Sequence, residues 1–239
     1  MKGCPMVFSE QVRAVLQSRE RRPDPSKLDV QGREVHQIRL HAEHAYRHAR
    51  LVGYDARQAV VTTPSGCHAF EVVRLGWNRV IVHGDLTPVT FRAGGDEVSV
   101  SIAELAAATL HYAEGKAEGD WRVYSAEAFA AYLGELHDDT EDMARRAALF
   151  ELLTLVKRDE AESVVMAEAY AMGLELRTAH TVYDPSIVWA HEAAKVAHKL
   201  IAEARWAAFT RDPCPDLLRR YNVSAAVSRV IRRNEREGW

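Results

Sequence analysis

The chain has 239 residues, 47% of them apolar, and a formal net charge of −3, which allows a real core and excludes a polyanion-binding protein that acts through bulk charge. Its three widely separated cysteines contain no Cys-x-x-Cys pair, which excludes a structural zinc site of the usual thiolate type and predicts a reducing compartment. The sequence shows no signal core and no run of about 18 apolar residues, so we expect a soluble, cytoplasmic protein without membrane contact.

The charge is unevenly distributed along the chain. Residues 1–50 carry ten Lys and Arg against six Asp and Glu, and residues 211–239 carry seven Arg against four acids. Residues 113–142 carry nine acids against two basic residues. The sequence therefore predicts a polarised molecule with basic ends and an acidic middle.

The first half of the chain begins with residue patterns typical of helices and continues with patterns typical of β-strands. Helices are predicted over 10–20 and over 33–52, where apolar residues recur at alternating spacings of three and four. From about 57 to 101, short β-branched or aromatic runs, the last of them "EVSVSI", are separated by Gly-containing turns such as Gly76-Trp77-Asn78. This pattern predicts an antiparallel meander of four or five strands. Within it, "HGD" (83–85) is interpreted as a strand end followed by a two-residue turn at Gly84-Asp85.

The chain after Ser101 has helical periodicity throughout. Helices are predicted over 102–113, 125–136, 139–157, 160–173, 186–208, 215–221 and 224–237, with Ser125, Thr140 and Ser186 as candidate N-caps. The predicted class is therefore α+β, with a small antiparallel β-meander (about 57–101) packed with an N-terminal helix and a larger C-terminal helical layer. We divide it into an α+β domain at 1–137 and a helical region at 138–239.

The acidic run "LHDDTED" (136–142) contains a candidate catalytic motif. His137-Asp138-x-x-Glu141-Asp142 resembles a segment of the HD phosphohydrolases that hydrolyse alarmone nucleotides, and His111 lies 26 residues upstream. The resemblance implies that His111, His137 and Asp138 hold a divalent metal such as Mn, which activates water. The alternative is an acidic loop between helices with no cofactor, in which the acids favour the first turn of the next helix.

In that alternative the same acids form a candidate surface for a protein partner. Its residues are Glu135, Asp138, Asp139, Glu141 and Asp142.

The C-terminal stretch "PDLLRRYNVSAAVSRVIRRNEREGW" resembles a helix-turn-helix pair over 213–237. Four arginines of its second helix would face outward, toward DNA phosphates: Arg229, Arg232, Arg233 and Arg236. A terminal amphipathic helix with a basic solvent face explains the pattern equally well.

Two further histidine sets have helical spacing. His41, His44 and His48 share one face of a predicted helix, but that face lacks a carboxylate, so we interpret it as a solvated or interface-facing side rather than a metal site. His191 and His198 lie seven residues apart on a predicted core helix. His191 and Glu192 could begin the His-Glu-x-x-His motif of a zincin protease, but position 195 is a lysine, so the motif is absent.

Two segments together resemble a known group of proteins. "VIVHGDLTPVTFRAGGDEVSVSIAELAA" (80–107) and "GDWRVYSAEAFAAYL" (119–133) are similar to a family of uncharacterised tailed-phage and prophage accessory proteins. The resemblance implies a small protein of a mobile element that binds host machinery or host defence proteins, and it implies no catalytic residues.

Three functional hypotheses therefore remain open. The first is a non-enzymatic accessory protein that binds a host protein or nucleoprotein through its acidic middle or basic ends. The second is a DNA-binding regulator that uses the C-terminal helices, and the third is the metal-dependent phosphohydrolase. Ala-rich helices over 102–113 and 160–173 would permit close packing within one chain or in a homo-oligomer.

Overall fold

A computed structural model of the chain describes residues 24–158, 160–176 and 178–211. These residues form seven α-helices, a five-stranded antiparallel sheet and a separate pair of short antiparallel strands. The predicted α+β class is confirmed. The helices predicted over 10–20, 215–221 and 224–237 lie outside the described residues.

The helices and strands are numbered in chain order. The helices are α1 (Val30–Ala45), α2 (Val98–Ala107), α3 (Leu110–Lys116), α4 (Ala126–Asp139), α5 (Met143–Lys157), α6 (Glu162–Ala171) and α7 (Pro185–Arg211). The strands are β1 (Arg50–Tyr54), β2 (Gln58–Thr62), β3 (Phe70–Leu75), β4 (Arg79–Gly84), β5 (Val89–Arg92), β6 (Arg122–Tyr124) and β7 (Thr181–Tyr183).

The described residues fall into two compact units, each assembled from two stretches of chain. We call residues 24–38 and 122–184 the helical unit, and residues 39–121 and 185–211 the sheet unit. The domain boundary predicted between residues 137 and 138 lies inside α4, and the residues on both sides of it belong to the helical unit.

The sheet unit is a meander whose strands pair in the order β1-β2-β3-β4-β5. Side chains alternate along each strand, so every second residue points to one face. That face is buried under α2 and α7. Its fully buried members include Ala59, Val61, Phe70, Val72, Val80, Val82, Val89 and Phe91. The other face is only half-buried.

The two edges of this sheet differ. At the β5 edge, Phe91 forms a bridge with Ala117, and the Glu118 amide donates to the Thr90 carbonyl at 2.8 Å. At the β1 edge the register shifts between Leu51 and Gly53. Such a bulge bends an edge strand and disrupts its ladder locally.

Aromatic rings join helix α7 to the sheet. The Tyr46 ring meets the rings of Phe70 and Trp189 edge-on, at centroid distances of 5.3 and 5.9 Å. His68 stacks on Trp189 with the two planes only 3° apart. The Tyr46 hydroxyl is buried without a hydrogen-bond partner among the described residues, and burial raises the pKa of this phenol.

The helical unit has a core of its own. Its buried residues come from α4, α5, α6 and the segment that follows α6. They are Phe129, Leu133, Leu149, Leu152, Val156, Val165, Ala169, Leu174 and Leu176. The strand pair β6–β7 carries the Arg122 guanidinium 4.3 Å from the centre of the Tyr183 ring, a cation–π geometry.

The prediction of a strand over "EVSVSI" was wrong, because α2 begins at Val98. Four of its five buried residues, Val98, Ser101, Ile102 and Leu105, follow a spacing of three and four. The alternation of Val and Ser over four residues imitates the period of a strand, but the longer window has the period of a helix.

The predicted helix over 33–52 was too long. Helix α1 ends at Ala45, a turn follows, and Arg50–Tyr54 is a strand. Val52, which the helical pattern placed in the apolar stripe, is 67% exposed. The predicted helix over 102–113 is also divided, since α2 ends at Ala107 and the Thr109 side chain caps α3.

Candidate functional site

The acidic residues predicted as a partner-binding surface lie at the junction between α4 and α5. We call this set, Glu135, Asp138, Asp139, Glu141 and Asp142, the acidic junction. All five are exposed. They come from the last five residues of α4 and the three residues that follow it, so the carboxylates are concentrated in one short stretch of the chain.

Hydrogen bonds fix the backbone of this junction. The Thr140 hydroxyl donates to the Leu136 carbonyl at 2.6 Å, and the Arg146 guanidinium donates to the Thr140 carbonyl. The Asp142 carboxylate accepts from the amides of Ala144 at 2.8 Å and Arg145 at 3.3 Å. Asp142 is therefore an N-cap of α5, so it has a structural role, whereas Thr140 was the predicted cap.

Exposed apolar side chains lie beside these carboxylates. Met143 is 72% exposed and Phe150 is 59% exposed. They are seven residues apart on α5, which places them on the same side of the helix. The His137 ring lies 6.3 Å from the Phe150 ring, and its Nδ1 is 3.0 Å from an Asp138 carboxylate oxygen. The surface therefore combines negative charge with exposed apolar area.

The predicted metal ligands are divided between the two units. His137 and Asp138 belong to the helical unit, whereas His111 lies on α3 of the sheet unit. The His111 side chain is 86% exposed, with its Nδ1 3.4 Å from a Glu114 carboxylate oxygen. Within residues 24–158, 160–176 and 178–211 there is no group of three or more His, Cys, Asp and Glu that could hold a metal. The metal hypothesis gains no geometric support from these residues.

The His-Gly-Asp stretch is a structural feature of the sheet. The predicted two-residue turn was wrong, because β4 continues to Gly84 and four residues, 85–88, connect it to β5. His83 is paired across the sheet with Glu71, at 3.9 Å between Nε2 and a carboxylate oxygen. Asp85 binds the backbone of Ala69, so no acid–base pair forms between His83 and Asp85.

The histidines singled out for their helical spacing differ in exposure. His41, His44 and His48 are all exposed, but only His41 and His44 lie on α1, because the helix ends at Ala45 and His48 belongs to the turn that follows. His198 is exposed as well. His191 is buried, and its Nε2 lies 3.1 Å from the Leu105 carbonyl oxygen. Burial lowers the pKa of His191 to about 4, so this imidazole is neutral at pH 7.

The four C-terminal arginines, Arg229, Arg232, Arg233 and Arg236, lie outside the described residues. The structure therefore does not test the helix-turn-helix prediction.

Sequence reasoning missed one exposed feature of the sheet. It treated Gly76-Trp77-Asn78 only as a turn between two strands. Trp77 lies at the tip of the β3–β4 hairpin and is 76% exposed. A tryptophan in a turn, where it has no core to enter, is the signal that could have identified this residue.

Comparisons with protein-family models, curated proteins and solved structures find no match to this chain. In the part of the chain that the structure describes, no helix has both the length and the apolar character needed to cross a membrane.

Proposed function

We propose that the chain is a non-enzymatic binding protein that docks on a basic host protein or nucleoprotein through the acidic junction. The observation that carries the proposal is the exposure of all five carboxylates next to exposed Met143 and Phe150. Clustered charge of one sign accelerates association with a partner of the opposite sign. Exposed apolar side chains supply the area that a stable interface buries. The resemblance of residues 80–133 to phage accessory proteins favours a partner in host defence or host machinery.

The test compares two charge-neutralised variants in capture from bacterial lysate. The first, Asp138→Asn/Asp139→Asn/Glu141→Gln, removes three charges of the acidic junction and keeps the Asp142 cap. The control, Glu160→Gln/Glu162→Gln/Glu168→Gln, removes three exposed charges near and within α6. Lysate is treated with nuclease. Capture is run at about 50 and at about 300 mM salt, because the higher salt shortens the screening length and weakens attraction between charges.

We expect one discrete partner that survives nuclease, is retained by the control and is lost by the junction variant. The purified partner should then bind wild-type protein with a Kd that rises with salt. Equal capture by both variants would refute the proposal, as would turnover of a substrate by the pure protein.

A further inference from the structure

The end of the sheet that carries the β3–β4 hairpin has an unusual concentration of arginines. Arg74, Arg79 and Arg92 lie near the ends of three consecutive strands, and the Arg57 carbonyl accepts from the Arg74 amide at 2.7 Å. Arg74 is paired with the buried Val80, so it lies on the covered face of the sheet, whereas Arg79 and Arg92 lie on the opposite face. Arg79 and Arg92 are direct partners in the β4–β5 ladder.

The pairing of Arg79 with Arg92 carries a cost. Directly opposed residues of an antiparallel pair have Cα atoms roughly 5 Å apart, and like charges in that position destabilise the sheet. Glu118 binds Arg79 at 2.8 Å and offsets part of this cost, while the Arg92 guanidinium donates to the Gly115 carbonyl at 3.4 Å, a neutral acceptor. An anion that contacts both guanidinium groups would relieve the remaining repulsion.

Trp77 supplies the second, independent observation. The ladder pair Leu75–Arg79 closes a three-residue tip, Gly76-Trp77-Asn78, and the Ala93 amide donates to the Asn78 carbonyl at 3.1 Å. The Trp77 backbone is therefore two residues from Arg79 and close to the end of β5. The 76% exposure of Trp77 leaves a flat aromatic surface open to solvent.

An exposed aromatic face next to paired arginines fits a single strand of nucleic acid. A base stacks on an aromatic side chain whatever its sequence, and arginines bind the phosphates on either side of it. In a duplex the faces of internal bases are covered by their neighbours, so the indole could not stack on them. The Glu118 carboxylate neutralises part of the charge by pairing with Arg79, which favours a short contact over a long groove.

We propose that this hairpin end binds single-stranded nucleic acid, with one base stacked on Trp77 and the adjoining phosphates on Arg79 and Arg92. The site belongs to the sheet unit, and its residues are separate from the acidic junction of the helical unit.

The test is fluorescence anisotropy of a labelled 12-nucleotide oligothymidylate, titrated with the full chain at about 20 mM salt. The test variants are Trp77→Ala and Arg79→Gln/Arg92→Gln. The matched controls are Tyr170→Ala, which removes another exposed aromatic ring, and Arg145→Gln/Arg158→Gln, which removes two exposed arginines of the helical unit.

We expect wild-type protein and both controls to bind equally, and Trp77→Ala to bind about tenfold more weakly. The double arginine variant should also lose about tenfold, and its slope of log K against log salt should decrease by about 1.4, since each phosphate contact contributes about 0.7. A 12-base-pair duplex should bind more weakly than the single strand. The variant Asp138→Asn/Asp139→Asn/Glu141→Gln should bind the oligonucleotide like wild type, which separates this test from that of the proposed function.

Four results would overturn the inference. These are no binding up to about 100 μM, equal binding by Trp77→Ala, tighter binding of the duplex, and binding that depends only on Arg229 and Arg233. Self-association lost in Trp77→Ala, without oligonucleotide binding, would instead identify the hairpin tip as a protein contact.

Discussion

Asp85 and Ala69 are joined by two hydrogen bonds that run in opposite directions. The Ala69 amide donates to the Asp85 carboxylate at 3.0 Å, and the Asp85 amide donates to the Ala69 carbonyl at 2.9 Å. Together they connect the end of β4 to the residue that precedes β3. The carboxylate of the His-Gly-Asp stretch is therefore engaged in holding the backbone at this end of the sheet.

Replacing Asp85 separates the contribution of its side chain. We expect Asp85→Ala to lower the free energy of unfolding by about 1 kcal/mol, because the Ala69 amide loses its acceptor. Asp85→Asn keeps an acceptor oxygen and should lose less than half of that. Urea unfolding followed by tryptophan fluorescence measures both, since Trp77, Trp121, Trp189 and Trp206 belong to the sheet unit. An Asp85→Asn variant as unstable as Asp85→Ala would show that the charge, rather than the acceptor, is responsible.

Gly84 is required by the close approach of two backbones. It has a φ of 125°, and a Cβ added there would lie 2.6 Å from the Ala69 carbonyl oxygen and 2.8 Å from the Phe70 Cα. We expect Gly84→Ala to cost about 2 kcal/mol or more, because neither backbone group can move without disturbing the sheet. Gly53→Ala is the matched strand control, since a Cβ there meets nothing within 4 Å, and it should change stability by less than about 0.5 kcal/mol.

The midpoints of urea unfolding of Gly84→Ala and Gly53→Ala, each compared with wild type, measure the two losses of stability. A Gly84→Ala protein that unfolds at the wild-type midpoint would contradict the close approach of the Gly84 backbone to Ala69 and Phe70.

The sequence was sufficient for the elements with a clear local period. The short β-branched runs predict strands β2 to β5. The N-cap predicted at Ser125 is confirmed, because its side chain accepts from the Ala128 amide at 3.2 Å. The same local signals failed where a few residues fit both the period of a strand and the period of a helix, as they do from Val98 onward. They also failed at β1, which has a bulge and exposed side chains.

Long-range organisation left no local signal. Strands β6 and β7 have three residues each and are 56 residues apart in the chain, so their pairing is set by contacts that no short window contains. The same holds for units built from two separated stretches. For the candidate site, the sequence predicted that the acids of the acidic junction lie at the surface. It did not distinguish Asp142, which caps α5, from the other four acids.

Asp142 should behave differently from the other acids of the junction. We expect Asp142→Ala to lower the free energy of unfolding by about 1 kcal/mol, because two amides at the start of α5 lose their acceptor. Asp139→Ala removes an exposed carboxylate at the C-terminal end of α4 and should cause no loss, since a negative charge there is unfavourable. Thermal unfolding followed by circular dichroism at 222 nm compares the two. Equal losses in both variants would contradict the assignment of Asp142 as the cap.

His191 should make the stability of the sheet unit depend on pH. Its folded-state pKa is lowered to about 4 by burial, against 6.5 for the ordinary group. Because the unfolded chain then binds a proton more readily than the folded one, stability is greatest above about pH 6.5 and decreases as the pH falls toward 4. From these two pKa values we expect a loss of about 2 kcal/mol between pH 7.5 and pH 5.

The comparison uses urea unfolding at pH 7.5 and pH 5, followed by tryptophan fluorescence. His191→Gln removes the titrating group, so its difference between the two pH values should be smaller than that of wild type by about 2 kcal/mol. His198→Gln, an exposed histidine on the same helix, should keep the wild-type difference. The His191→Gln protein will be less stable at pH 7.5, because the contact of Nε2 with the Leu105 carbonyl is disturbed, and for that reason the difference between pH values is the quantity to compare. An unchanged difference in His191→Gln would show that another group titrates.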